Sequence, residues 1–332
     1  MTRRAGPMAR FRDAYRAIGR VDRAVPEVVT RIEALAGRVD ALAGRVGKLV
    51  ERVESLEARS KQEAEASGGA LVEVRAVLRT LAADEPGNRR CLHSAREHPD
   101  YELAWTEDDP LITVTIPTIG RRELFERALP SILGQTYASL EVVVAGDGAG
   151  PEIGDRLRML GDDRIRFVDL GPRLPWSESE EKLWLVGATR GRNAATRLAR
   201  GRWLVPFDDD DTMRPDCLEK LLELARARRA EVAYAQALAH LPDGSTSEFC
   251  DFPPRLGRFT WAAGMHHAGL ACFERELVAA EFGIPGDWWL AERMLRAGAR
   301  FAMREEVLCD VYPSGRNPGW VPPGAGGGAT TR

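Results

Sequence analysis

Residues 203–211 read Trp-Leu-Val-Pro-Phe-Asp-Asp-Asp-Asp, an apolar run that ends directly in four aspartates. A run of this kind is typical of a buried strand, so the carboxylates are expected at a strand end. Crowded like charges repel each other, and protonation or a shared cation relieves the repulsion. Oxygen ligands favour Mg²⁺ or Mn²⁺. The alternative interpretation is a solvated acidic turn or a helix N-cap, because an apolar-periodic stretch follows.

Strand-like and helix-like segments alternate on both sides of this run. Strands are predicted over 112–116, 140–145, 165–168 and 232–235, and helices over 122–134, 188–200 and 215–229. This alternation predicts parallel βαβ units in an α/β, doubly wound, mostly parallel sheet. Ligands of such sheets bind at the carboxyl ends of the strands. We therefore expect Thr118, Asp147 and the four aspartates to lie along one edge, although they are far apart in sequence.

The other strand ends carry short polar motifs. Pro117-Thr118 is followed by Gly120-Arg121, and a Gly-Asp-Gly sequence is centred on Asp147. Glycines allow the backbone to approach a ligand closely. Gly191-Arg192-Asn193 opens a predicted helix, where free N–H groups and an arginine suit a diphosphate. Each motif alone is weak, since Gly-Asp-Gly is commonly a turn and Arg-Asn commonly lies on a surface.

Taken together and in this order, the motifs resemble those of the family 2 glycosyltransferases of GT-A fold. Besides the segments above, Gln135-Thr136-Tyr137 and Pro215-Asp216 stand in register with the family pattern. The resemblance covers residues from about 110 to 312. It implies a GT-A domain that binds a nucleotide sugar and a hydroxyl acceptor.

The resemblance also implies roles for individual residues. The implied ligands of the nucleotide sugar are Pro117, Thr118, Arg121, Asp147, Arg192, Asp208 and Asp209. Asp210 and Asp211 would bind Mn²⁺ or Mg²⁺, which neutralises charge on the leaving diphosphate. Asp287 would be the general base, with a helix N-cap as its structural alternative. The implied acceptor-side residues are His266, His267, Trp288 and Trp289, for which core packing is the alternative.

Three positions depart from the family pattern. Gly146 replaces the first acid of Asp-Asp-Gly-Ser, Ala149 replaces its serine, and Gly286 replaces a glutamate before the implied base. The chain has no Gln-x-x-Arg-Trp motif, which indicates a single addition rather than processive synthesis. A UDP-sugar is the favoured substrate.

The N-terminal region has a different pattern. Residues 1–27 are basic and of helical periodicity, which predicts a solvated lead-in helix or contact with an anionic membrane surface. Residues 28–59, within a helical region 28–83, form a heptad repeat with β-branched residues and Leu alternating at its seam. This pattern favours self-association as a parallel dimeric coiled coil, with a trimer as the alternative. Residues 84–109 are expected to be a linker, and residues 313–332 a flexible tail.

Composition limits the class of protein. The net charge of -3 argues against nucleic-acid binding. The five scattered cysteines fit reduced thiols in a reducing compartment. No stretch approaches the ~20 apolar residues of a membrane span. We therefore expect a cytoplasmic protein, with peripheral attachment to the inner membrane face as a further interpretation.

The leading hypothesis is a metal-dependent, inverting glycosyltransferase of the hexosyltransferase type. It would add one sugar to a glycan or to a natural-product glycoside. The alternative is a coiled-coil scaffold carrying an inactive, nucleotide-binding domain. A nucleotidyltransferase is disfavoured because Ile119-Gly120-Arg121 is too sparse for its glycine-rich loop.

Overall fold

The computed structural model describes residues 70–173 and 180–312, together with Lys48 and Arg52. Contacts between Cα atoms divide the chain into Met1–Ala76 and Val77–Arg332. The predicted heptad region 28–59 and the tail 313–332 lie outside the described residues, Lys48 and Arg52 apart. Within the described part of the chain, no helix has the length and hydropathy of a membrane span.

Among the described residues of the second unit, a nine-stranded mixed sheet forms the centre, in the order β3-β2-β1-β4-β8-β6-β9-β5, with β7 paired to β6. The strands are β1 Ile112–Thr118, β2 Leu140–Gly146, β3 Ile165–Asp169, β4 Trp203–Pro206, β5 Thr212–Met213, β6 Val232–His240, β7 Thr246–Phe249, β8 Gly264–His267 and β9 Phe301–Val311. The α-helices are Ala70–Glu97, Leu103–Thr106, Leu129–Leu133, Pro151–Met159, Glu180–Val186, Thr189–Leu198, Cys217–Arg228 and Gly286–Ala297.

Only one half of the sheet is fully parallel. β3, β2, β1 and β4 pair in parallel. β8 then pairs antiparallel with both β4 and β6, and β5 and β7 are also antiparallel to their neighbours. β6 and β9 pair in parallel. The expectation of a mostly parallel sheet is therefore correct for the half that carries β1, whereas the other half is mixed.

Burial explains why β2 and β4 could be predicted from the sequence. Every residue of both strands is buried. A strand covered on both faces has a near-continuous apolar sequence, which a local pattern reveals. β1 is also buried throughout, but threonines alternate with its apolar residues. The predicted helix over 122–134 is also present, but it begins as a π-helix at Leu124–Ala128 and continues as Leu129–Leu133.

The linker expected over residues 84–109 is wrong. The helix Ala70–Glu97 runs through its first half, and Pro86 lies inside that helix. Tyr101, Ala104 and Trp105 are buried in the core. The segment is therefore part of the folded domain.

Two of the five cysteines are paired. Cys91 and Cys272 form a disulfide, with Cα atoms 6.4 Å apart. Cys217, Cys250 and Cys309 are free and buried, as expected. The expectation that every cysteine is a reduced thiol is therefore wrong. The cysteines no longer support the inference of a reducing compartment.

His266 and His267 of β8 lie in the core rather than in a cleft. His267 stacks on Trp105, with ring centroids 4.8 Å apart, and packs edge-on against Trp203. Its Nε2–H donates to the Tyr101 carbonyl at 3.0 Å, while its Nδ1 accepts from the Gly269 N–H at 2.9 Å. These two bonds require the neutral ring. Burial lowers the pKa of each histidine to about 4.

This burial predicts a loss of stability in mild acid. The folded-state pKa lies below the unfolded value near 6.5, so the contribution of His267 is complete above pH 6.5 and falls as the pH drops toward 4. We expect a loss of about 3 kcal/mol at pH 4, since one pKa unit corresponds to about 1.4 kcal/mol. Urea unfolding at pH values between 7 and 4 measures this loss in the free energy of unfolding. His267→Gln keeps an acceptor and a donor without titrating, and an equally steep pH dependence in that variant would contradict the prediction.

Candidate functional site

The carboxyl ends of β1, β2 and β4 open into one cleft with a volume of about 290 Å³. Register aligns them, since Thr118 pairs with Gly146 and Thr115 pairs with Pro206. The following residues, Asp147 and the aspartate cluster (residues 208–211), therefore reach the same edge. The residues named from the sequence that line this cleft are Pro117, Thr118, Arg121, Asp147, Arg192, Asp208, Asp209, Asp210, Asp211, Asp287 and Trp288.

Three of the named residues lie elsewhere. His266 and His267 are buried in the core, as described above. Trp289 is also buried; its ring stacks on Phe282, and its Nε1–H donates to Glu276 at 2.9 Å. Trp288, the neighbour of Trp289, faces the cleft instead.

The aspartate cluster is neither a solvated turn nor a helix cap. Asp209 and Asp211 are buried, and the next helix, Cys217–Arg228, is preceded by Asp216. Asp209 accepts a hydrogen bond from Thr118 Oγ1 at 2.6 Å. Asp211 accepts one from the Tyr312 N–H at 3.0 Å. The end of β1 and the residue after β9 thus hold the cluster in place.

Arg121 lies between two of these carboxylates. Its Nη1 is 2.8 Å from Asp209 Oδ1 and 2.6 Å from Asp210 Oδ2. Burial and, next to it, the charge of Asp208 raise the pKa of Asp210 to about 7, against the attraction of Arg121. The pKa of Asp211 is well above its ordinary value because of its burial and the neighbouring Asp210. The positive charge of Arg121 therefore does not offset all of the repulsion among the carboxylates of the cluster.

The second named arginine compensates a different carboxylate. Arg192, on the helix Thr189–Leu198, forms an ion pair with Asp208. Gly191 permits this position, because a Cβ atom there would lie 2.9 Å from Pro117 Cβ. The glycine lets the start of the helix approach the end of β1, which accounts for the Gly-Arg-Asn motif in physical terms.

Asp147 has an arginine partner that sequence reasoning missed. Arg190 Nη1 is 2.7 Å from Asp147 Oδ1 and also donates to the Pro172 carbonyl. Arg190 lies two residues before Arg192 and carries no motif of its own. Gly146, before Asp147, would place a Cβ atom 3.0 Å from the Phe167 ring. An aromatic ring thus occupies the space that a side chain at position 146 would need.

Asp287 faces the cleft from the helix Gly286–Ala297. That helix is capped by Pro285, so Asp287 lies in its first turn and the N-cap alternative is wrong. The side chain is 31% exposed and forms an ion pair with Arg275 at 3.0 Å. Burial raises the pKa of Asp287, but the charges of Arg192 and Arg275 outweigh this effect and hold the pKa below its ordinary value. Arg275 is a cleft residue that sequence reasoning missed.

A divalent cation suits this site in its chemistry. Burial and mutual repulsion raise the pKa of the carboxyl groups in the cluster, and a bound cation would stabilise their ionised form. Carboxylate oxygens are also the hard ligands that a divalent cation prefers. Within the described ranges, no group of three His, Cys, Asp or Glu side chains is arranged to hold a metal. The residues therefore fit an ion held by one or two carboxylates together with phosphate oxygens of a substrate.

Comparison with known proteins shows a similarity to glycosyltransferases. Residues 181–275 match the family model described as Glycosyl transferase family 2. The chain is 31% identical over 124 residues to the succinoglycan biosynthesis protein ExoO of Rhizobium meliloti, covering 37% of this chain and 32% of ExoO. It is 30% identical over 128 residues to the chondroitin synthase of Escherichia coli, covering 39% of this chain and 17% of that protein. The chain thus spans about a third or less of the length of these two relatives.

The Staphylococcus aureus TarS 1-349 complex with UDP-GlcNAc superposes with a TM-score of 0.49 and 13% identity, covering 64% of this chain and 62% of TarS. A likeness at this level indicates nothing about the ligands of this chain. The chain is also 29% identical over 120 residues to the putative colanic acid biosynthesis glycosyl transferase WcaA of Escherichia coli, covering 35% of this chain and 38% of WcaA. The family segment and this relative support a family 2 glycosyltransferase.

Proposed function

We propose that this protein is an inverting glycosyltransferase that moves one sugar from a nucleotide sugar to an acceptor hydroxyl. The observation that carries this proposal is the convergence of Thr118, Asp147, the aspartate cluster and Asp287 in one cleft, from segments far apart in sequence. A scaffold that has lost turnover would not need a solvent-accessible, ionised carboxylate opposite such a cluster.

The proposal assigns a role to each group of residues that lines the cleft. Thr118 and Asp147 would contact the nucleoside, and Arg192 would lie near the diphosphate. Asp210 and Asp211 would hold a divalent ion, which would offset the charge that develops on the leaving diphosphate. Arg121 balances part of the cluster's charge when no nucleotide is bound.

Asp287 would act as the base. Its exposed carboxylate oxygen would take the proton of the acceptor hydroxyl as that oxygen forms a bond to the anomeric carbon. The bond from the anomeric carbon to the diphosphate breaks on the opposite side, and the nucleoside diphosphate leaves with the electron pair. Attack from the opposite face inverts the anomeric configuration.

A panel of UDP-, GDP- and dTDP-sugars tests the proposal on the full chain. We expect one nucleotide sugar, the UDP compound first, to raise the melting temperature with Mn²⁺ and to release nucleoside diphosphate. EDTA should abolish both effects. Asp210→Asn should reduce the release by at least about 10²-fold, as the loss of a charge-stabilising group at a transition state does.

The control is Asp243→Asn, which removes an exposed carboxylate remote from the cluster in sequence. This variant should keep the wild-type rate. Absence of any stabilising nucleotide sugar would overturn the proposed function. If the release of nucleoside diphosphate is insensitive to EDTA, only the proposed metal requirement is overturned.

A further inference from the structure

Arg275 lies in the floor of the cleft and contacts the proposed base. Its side chain is only 5% exposed, and its Nη2–H donates to Asp287 Oδ1 at 3.0 Å. A buried guanidinium has few alternative positions, so it restricts the carboxylate that it binds. Asp287 is held from its backbone as well, because the Trp261 Nε1–H donates to its carbonyl at 3.0 Å.

Asn193 fixes the backbone of Arg275 with two hydrogen bonds. The Asn193 amide donates to the Arg275 carbonyl at 2.9 Å, and the Arg275 N–H donates to the Asn193 side-chain oxygen at 2.9 Å. One side chain thus satisfies both backbone groups of one residue. Asn193 follows Arg192 on the same helix, so a single helix holds Arg275 and also places Arg192 beside the aspartate cluster.

Two cations and one further carboxylate determine the charge around Asp287. Arg192 and Arg275 both stabilise its anion, from the helix Thr189–Leu198 and from the segment after β8. Asp208, paired with Arg192, also acts on Arg275. Burial lowers the pKa of Arg275 to about 10, so the guanidinium remains charged near neutral pH.

We propose that Arg275 is the positioning residue of the base: fixed by Asn193, it directs the Asp287 carboxylate into the cleft and keeps it ionised. The role of Asp287 as a base rests on the proposed function. The effect of Arg275 on the orientation and ionisation of Asp287 does not depend on turnover and is tested separately. Arg275 is thus assigned to the orientation of the base rather than to the nucleotide sugar.

The direct test is the titration of Asp287 followed by ¹³C NMR of aspartate-labelled full-length protein. Asp287→Asn identifies the signal. In Arg275→Met we expect the midpoint to rise by at least one pH unit, because burial remains while one of two cations is lost. Arg275→Lys should restore most of the wild-type midpoint. Asn193→Ala should shift the midpoint in the same direction by less, and it serves if Arg275→Met does not fold.

Arg293→Met is the matched control. Arg293 is a buried arginine on the helix Gly286–Ala297 itself, paired with Glu276 at 2.9 Å. Its replacement should lower stability without moving the Asp287 midpoint. An unchanged midpoint in Arg275→Met and Asn193→Ala, or an equal shift in Arg293→Met, would overturn the proposal.

Kinetics separate this proposal from the proposed function. With an active nucleotide sugar, Arg275→Met should move the acidic limb of the pH–kcat profile upward by the same amount as the NMR midpoint, with KM for the nucleotide sugar unchanged. If no nucleotide sugar is turned over by the wild type, the proposed function fails. The NMR titration still decides whether Arg275 controls Asp287.

Discussion

Asp287→Asn is expected to reduce turnover by about 10²–10⁴-fold, the range of rate enhancement that a positioned general base supplies. Asparagine has nearly the same shape but does not accept the proton of the acceptor hydroxyl. The residues proposed to bind the nucleotide sugar are unchanged in this variant, so stabilisation by the nucleotide sugar should persist. The measurement is the release of nucleoside diphosphate, with the melting temperature recorded on the same samples.

Asp162→Asn is the control for this experiment. Asp162 is also partly exposed and also paired with an arginine, Arg164, at 2.7 Å, but it does not line the cleft. Its replacement should leave turnover unchanged. If Asp287→Asn kept more than about a tenth of the wild-type rate, Asp287 would not be the base.

The second large effect concerns stability. Glu231→Ala is expected to lower the free energy of unfolding by about 3–5 kcal/mol, the range for removing one member of a buried ion pair. Glu231 has 0% of its side chain exposed. It accepts two hydrogen bonds from Arg96, at 2.7 and 2.8 Å, one from the Tyr101 hydroxyl and one from the Arg300 N–H. Burial raises the pKa of Glu231, but these hydrogen bonds outweigh it and lower the pKa.

Glu102→Ala provides the matched comparison, because Glu102 pairs with Arg229 on the surface. An exposed pair contributes about 0–1 kcal/mol. Urea unfolding followed by tryptophan fluorescence measures both variants. Equal losses in the two variants would show that the buried network around Glu231 does not stabilise the domain.

The Glu231 network also explains why the expected linker over residues 84–109 was wrong. Arg96 and Tyr101 belong to that segment, and their partner is 130 or more positions further along the chain. Trp105 likewise packs on Trp203, with ring centroids 5.6 Å apart. The segment has few apolar residues, and beyond the end of the helix Ala70–Glu97 it contains only the four-residue helix Leu103–Thr106, so local periodicity gives little signal. Its structure depends on distant partners that a local pattern does not contain.

The strand ends, in contrast, were predictable. A strand buried on both faces is an apolar run, as in β2 and β4, and its end marks the edge of the sheet where ligands are expected. Asp147 and the aspartate cluster follow from that rule, whereas Thr118 ends β1, in which threonines alternate with apolar residues. The antiparallel strand β7 was not predicted, because its residues are largely exposed and lack an apolar run.

The arginines that pair with carboxylates of the cleft mark the limit of sequence reasoning. Arg121 and Arg192 belong to motifs that were read from the sequence. Arg190, which directly precedes Gly191, and Arg275 were missed, because their roles come from ion pairs with Asp147 and Asp287, across 43 and 12 positions. Pairing of this kind is a property of the folded chain.

Gly146 and Phe167 have a consequence for protein engineering. An aspartate introduced at position 146 to imitate the Asp-Asp-Gly-Ser pattern would place its Cβ atom 3.0 Å from the Phe167 ring, which is closer than ordinary van der Waals contact. The two sites must therefore be redesigned jointly, and a double-mutant cycle between them should be strongly non-additive.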